Sequence, residues 1–173
     1  MATPTLYRSL PTEQRSALDP NGVHAQLNRL PADATHLVLS AGGNDALRHV
    51  DLLMRHARTG GEALTWFDEA ARGFASDYGR LLEVLARAGH LAAVCTIYEG
   101  QLEPELQPAA RAALGIFNDV IQRVANRHGF PVIELRDVCT EPGDYANPIE
   151  PSVQGGRKIA EAIVRRLDAS FAR

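Results

Sequence analysis

Apolar residues recur along this chain in two rhythms. Short continuous runs occur at His36-Leu37-Val38-Leu39-Ser40, at residues 92–97 and at Pro131-Val132-Ile133-Glu134-Leu135. They read as strands, because a parallel strand covered on both faces needs no polar alternation. Between them apolar positions fall three and four apart, the spacing of one helix face. Leu64, Phe67, Ala71, Phe74, Tyr78, Leu81 and Leu85 form the longest such stripe. Ala110, Ala113, Leu114, Phe117, Ile121 and Val124 form a second, and Ile159, Ile163, Leu167 and Phe171 a third. Gly89 suits a left-handed cap, Gly129 closes the second long helix, and Pro108 fits its first position. Two shorter helices are predicted. One is faced by Val23, Leu27 and Leu30 and ends at Pro31; the other carries Leu47, Val50, Met54 and Ala57 and breaks at Gly60-Gly61.

Strands alternating with long helices predict an α/β fold with a short parallel sheet and helices on both faces. Residues 1–22 hold three prolines and no sustained period, so they read as an irregular segment ahead of one domain over residues 23–173. The formal charge of -3, with Arg165-Arg166 as the only basic pair set apart, gives no footprint for nucleic acid or an anionic membrane. No run approaches the roughly 18 apolar residues that span a bilayer. The first residues lack the apolar segment of a signal peptide, so a cytoplasmic protein is expected.

Cys95 and Cys139 make no CxxC and no metal-ligand spacing. His49 and His56 stand seven apart with no carboxylate or cysteine at a ligand spacing, and read as boundary or solvated residues. His90 and His128 sit at helix ends, His36 starts a strand and His24 lies on a short helix. No metal and no cofactor are expected.

The densest chemical signal is Ser40-Ala41-Gly42-Gly43-Asn44-Asp45, at the carboxyl end of a strand, where open α/β sheets bind ligands. Two glycines permit a tight turn, Asn44 offers an amide donor, and Asp45 can cap the following helix. Taken alone, the run also reads as an ordinary strand-to-helix turn.

Its context adds a second block: Asn147-Pro148-Ile149-Glu150-Pro151-Ser152, followed by Gly155-Gly156 and a closing helix. The pair resembles the Gly-x-Asn-Asp and Asp-x-x-His-Pro-Ser blocks of the SGNH (GDSL-type) hydrolases, over roughly residues 23–173. Ile97-Tyr98, Phe117-Asn118 and residues 133–136 fall where that family places strand ends and its penultimate helix. The resemblance implies a three-layer α/β/α, flavodoxin-like fold and a small-molecule ester as substrate. It implies a serine nucleophile in Gly-Asp-Ser on the first strand, a histidine base and an oxyanion hole. Carried over, Gly42 and Gly43 are the turn glycines and Asn44 the oxyanion donor. Glu150 stands at the base position and Asn147 at its orienting partner, while Asp45 and Asp144 are supporting residues.

The chain departs from that pattern. Gly-Asp-Ser occurs nowhere, Gly22 is the nearest match to the family's glycine block, and the histidine position holds Glu150. A carboxylate is ordinarily a far weaker base than imidazole, unless a neighbour such as Asp144 raises its pKa. Ser9 and Ser40 lie on no nucleophile elbow, and Ser152 reads as the cap of the last helix. Weak or absent ester turnover is therefore expected. The alternatives are a non-catalytic ligand-binding domain, or a mis-started gene product whose first strand lies upstream. Losing that strand would leave the 36–40 edge unpaired and apolar. The pattern sets no oligomeric state.

Overall fold

The computed structural model describes residue 18 and residues 25–171 of the chain. The irregular segment expected over 1–22, Val23 and His24 therefore lie outside the described residues, Leu18 apart. Residues 25–27 form a helical turn before Pro31, and Leu27 and Leu30 pack against the core.

Three parallel strands make the sheet, in the order β1 (His36–Leu39), β2 (Leu91–Cys95), β3 (Val132–Ile133). The helices that connect and follow them are α1 (Gly43–Leu47), α2 (Gly60–Arg87), α3 (Gln107–Arg127) and α4 (Val153–Phe171). Side chains of β2 alternate between two cores, as a strand's two-residue period requires. Ala92 and Val94 join Leu37, Phe74, Leu81 and Ile121 under α2 and α3. Ala93 and Cys95 join Ile133, Leu135 and Ala162 under α4. Helices thus cover both faces, and the chain has the three-layer α/β arrangement.

Several local expectations need correction. The helix expected from Leu47 to Ala57 is instead the five-residue α1, then a 3-10 turn over Val50–Leu53. Met54, expected on its inner face, is 51% exposed. Gly60 and Gly61 do not end a helix; they begin α2. The Thr59 hydroxyl caps it by accepting the Glu62 N–H at 3.1 Å, while the Glu62 carboxylate accepts the Arg58 N–H at 2.9 Å. Pro108 occupies the second rather than the first position of α3, which begins at Gln107. β3 is shorter than the 131–135 run because the Leu135 N–H turns to the Thr96 hydroxyl at 2.8 Å and Glu134 caps the 3-10 turn that follows. A two-stranded antiparallel hairpin, β4 (Tyr145–Asn147) with β5 (Glu150–Pro151), was not foreseen. Gly89 and Gly129 do take left-handed backbones, at φ 72° and 74°.

β2 ends where a helix residue takes over its hydrogen bonds. The fully buried Asn118 of α3 accepts the Ile97 N–H and donates to the Ile97 carbonyl, both at 2.8 Å. Replacing it with alanine strands a buried donor and acceptor, which costs on the order of 2 kcal/mol. Asn118→Ala is expected to lower Tm by roughly 4–8 °C in thermal unfolding. A drop under about 1 °C would mean that water or another group satisfies Ile97.

Candidate active site

β1 runs directly into the Ser40–Asp45 turn, and Gly42 makes the turn possible. Its φ of 108° lies in the left-handed region, and a Cβ there would stand 2.9 Å from Phe74 Cζ. Gly42, not Asp45, is the N-cap of α1, and its carbonyl accepts the Ala46 N–H at 2.9 Å. Asp45, expected as the cap, lies instead within the first helical turn and is buried there. The Asn44 side-chain amide makes no hydrogen bond to another described residue and so has its donors free.

The second block reaches the same place through the loop after β2. The Gln101 N–H donates to the Pro148 carbonyl at 2.8 Å, and the Tyr98 hydroxyl donates to the Ile149 carbonyl at 2.8 Å. Gly100, at φ 72°, permits that approach, since a Cβ would sit 2.7 Å from the Pro148 oxygen. Burial pushes the Tyr98 phenol above its ordinary range, with Cys139 and Glu150 adding to the effect, so the hydroxyl keeps its proton for this bond. Asn147 then orients Glu150: its amide donates to Glu150 Oε2 at 2.7 Å, and its own Oδ1 accepts the Ile149 and Glu150 N–H groups at 3.0 and 2.9 Å.

Between the two blocks lies a cavity of about 370 Å³ at the carboxyl ends of β1 and β2. Gly42, Gly43, Asn44 and Glu150 all line it, as does Ser40. Its walls are mainly apolar, with Leu47, Leu53, Phe67, Ile97, Leu114 and Phe117 among them. Among the described residues, the charged or titratable groups that reach it are His49, Tyr98, Glu99 and Glu150, with no lysine or arginine. Arg111 holds Glu99 at 2.8 Å. His49 stacks on Phe117 with ring centroids 5.8 Å apart and planes 15° apart. Its place on the cavity wall was not legible in the sequence, where seven-residue spacing to His56 was the only pattern to read.

Asp144 does not join this site. Its buried carboxylate accepts from Lys158 at 2.8 Å, from Gln154 at 3.1 Å and from the Thr140 and Glu141 N–H groups at 3.0 Å each. The Lys158 hydrogen bond above all holds its carboxyl below the usual carboxylate range. Its charge is thus paired with Lys158. Ser152 caps α4 by accepting the Gly155 N–H at 3.2 Å. Cys95 and Cys139 are both buried free thiols, and burial pushes Cys95 up to about 11. Among the described residues no group of three or more His, Cys, Asp and Glu could hold a metal ion, and no helix is long and apolar enough to cross a membrane. Ser9 and Gly22 lie outside the described residues.

An open parallel sheet, helices on both faces and a cavity where the strands end define a three-layer α/β protein, and such sheets commonly bind ligands at that end. The chain belongs to the GDSL-like lipase/acylhydrolase family, whose model matches residues 7–158. That match begins within the segment set apart above as irregular and takes in Ser9. Among solved structures the chain is similar to an extracellular lipase from Streptomyces rimosus, at 16% identity and TM-score 0.64, covering 85% of this chain and 76% of that one. It is also similar to a lipolytic G-D-S-L family member from Veillonella parvula, at 14% identity and TM-score 0.63, covering 93% and 77%. A third is phospholipase A1 from Streptomyces albidoflavus, at 16% identity and TM-score 0.61, covering 84% and 75%. At these identities the likeness is one of fold. No curated protein sequence matches the chain.

Proposed function

We propose that the cavity binds a small ester with an apolar acyl portion, and that the chain hydrolyses it slowly. The observation that carries this reading is the meeting of the Gly42–Asn44 turn and Glu150 on one mainly apolar cavity. Its volume of about 370 Å³ falls at the small end of ligand sites, which run from about 300 to 1,000 Å³. Asn44, with its amide unengaged, donates to the carbonyl oxygen as charge develops there. Glu150, held by Asn147, is ordinarily a poor proton acceptor beside imidazole, and Gly-Asp-Ser is absent, so turnover is slow.

The test is hydrolysis of 4-nitrophenyl butyrate by the wild type and by Leu114→Trp, which fills the cavity from α3. The variant is expected to raise KM roughly tenfold or more, the scale on which a pocket discriminates ligand size. An unchanged KM would place the substrate elsewhere. A second reading, a ligand-binding domain without turnover, is favoured by the missing Gly-Asp-Ser. It is selected if 4-nitrobutyranilide, an unreactive analogue of the same shape, binds by calorimetry while the ester is not cleaved.

A further inference from the structure

We infer that His49, on the wall of the cavity, is the proton acceptor of this site and supplies the imidazole that the C-terminal block lacks. This rests on the ester-cleaving reading above and names the group that drives it.

Among the described residues, three groups on the cavity wall can take up a proton: His49, Glu99 and Glu150. Two are committed. Glu99 is tied to Arg111 at 2.8 Å, and Glu150 accepts the Asn147 amide at 2.7 Å. The His49 imidazole makes no hydrogen bond to a described residue, so its ring nitrogens are open to a ligand or water. Stacking on Phe117 fixes the plane of the ring without using either nitrogen. His49 follows Asn44 by five residues, and α1 ends between them at Leu47, so one short segment delivers both a donor and an acceptor to the same cavity. Imidazole is also the side chain that ordinarily changes charge between about pH 5 and 8, the range in which a general base works best.

The step balances with water as the co-reactant. The imidazole takes a proton from water as the water oxygen bonds to the ester carbonyl carbon. The C=O electron pair moves onto the carbonyl oxygen, which accepts a hydrogen bond from Asn44. Collapse restores C=O and breaks the bond to the alkoxy oxygen, and the imidazolium returns its proton there. Ester and water become acid and alcohol.

Among the described residues, the titratable groups that share the cavity wall with His49 are Tyr98, Glu99 and Glu150. The two helices packed against its turn, α2 and α3, send only Phe67 and the apolar residues Ala110, Ala113, Leu114 and Phe117 into the cavity. On its own segment the charged neighbours are Asp45, Arg48 and Asp51.

The experiment measures 4-nitrophenyl butyrate hydrolysis between pH 5 and 9 for wild type, His49→Gln, Glu150→Gln and His56→Gln. In the wild type, kcat/KM is expected to rise about tenfold per pH unit on the acid side and then level off. His49→Gln should lower kcat by roughly 10²–10⁴-fold, abolish that rise and leave KM within about twofold. Glu150→Gln should retain the rise. His56, exposed and away from the cavity, should behave as wild type when replaced. A pH rise that survives in His49→Gln overturns the inference, and so does its loss in Glu150→Gln. A KM effect of Leu114→Trp with the rise intact in His49→Gln would sink this inference alone. Anilide binding without ester turnover in the wild type also overturns it and leaves the cavity a binding site.

Discussion

Asn44→Ala is expected to lower ester turnover by about 10²–10³-fold, the usual cost of one lost oxyanion donor. The residue lies on α1, directly after a turn that only a left-handed Gly42 backbone can make, and its amide is engaged by no described neighbour. Such a group contributes nothing to folding that alanine cannot match, and alanine has the better helix propensity. Tm should therefore stay within about 2 °C of wild type by thermal unfolding, and kcat should fall while KM barely moves. Loss confined to kcat is the mark of an interaction made in the transition state. Turnover within threefold of wild type would remove Asn44 from the chemistry.

Gly155→Ala should cost on the order of 3 kcal/mol, from a backbone collision that no rotamer can relieve. A Cβ at Gly155 would overlap the Asp144 carbonyl oxygen and stand 3.0 Å from its carbon. That carbonyl also accepts the Ser152 N–H at 2.7 Å, and Asp144 itself anchors Lys158 and Gln154 of α4. Moving it disturbs the β4–β5 hairpin, and with it the segment that presents Glu150 to the cavity. A fall in Tm of roughly 6–12 °C is expected, with weaker anilide binding measured by calorimetry. Gly156→Ala, where a Cβ meets nothing within 4 Å, is the control and should leave both nearly unchanged. Equal effects at the two glycines would mean helix propensity, not the collision, decides the outcome.

Much of the frame was legible in local pattern. Three strands and three long helices declare themselves because burial on one stripe or on both strand faces writes a period into the chain. The two end blocks were legible as chemistry because turn glycines, an amide donor and a carboxylate are rare in those combinations. Element ends were less so. The helix expected through Met54 failed because apolar spacing alone cannot tell a continuous helix from a 3-10 turn whose side chains line a cavity. The β3 run stopped early because Thr96, just past the end of β2, captures the Leu135 N–H.

The sequence by itself determined the fold class, the family resemblance and the residues Gly42, Asn44 and Glu150 as members of one proposed site. The fold class rests on periodicity, while the grouping of Gly42 and Asn44 with Glu150 rests on the family resemblance of the two end blocks. Only the tertiary structure decided which groups share the cavity. It set His49 and Asn44 on the wall of one cavity, paired Asp144 with Lys158, and bound the loop after β2 to Pro148 and Ile149. The physical reason is that contacts between residues tens of positions apart are set by how helices and strands pack, and no local pattern encodes which side chains that packing will bring face to face.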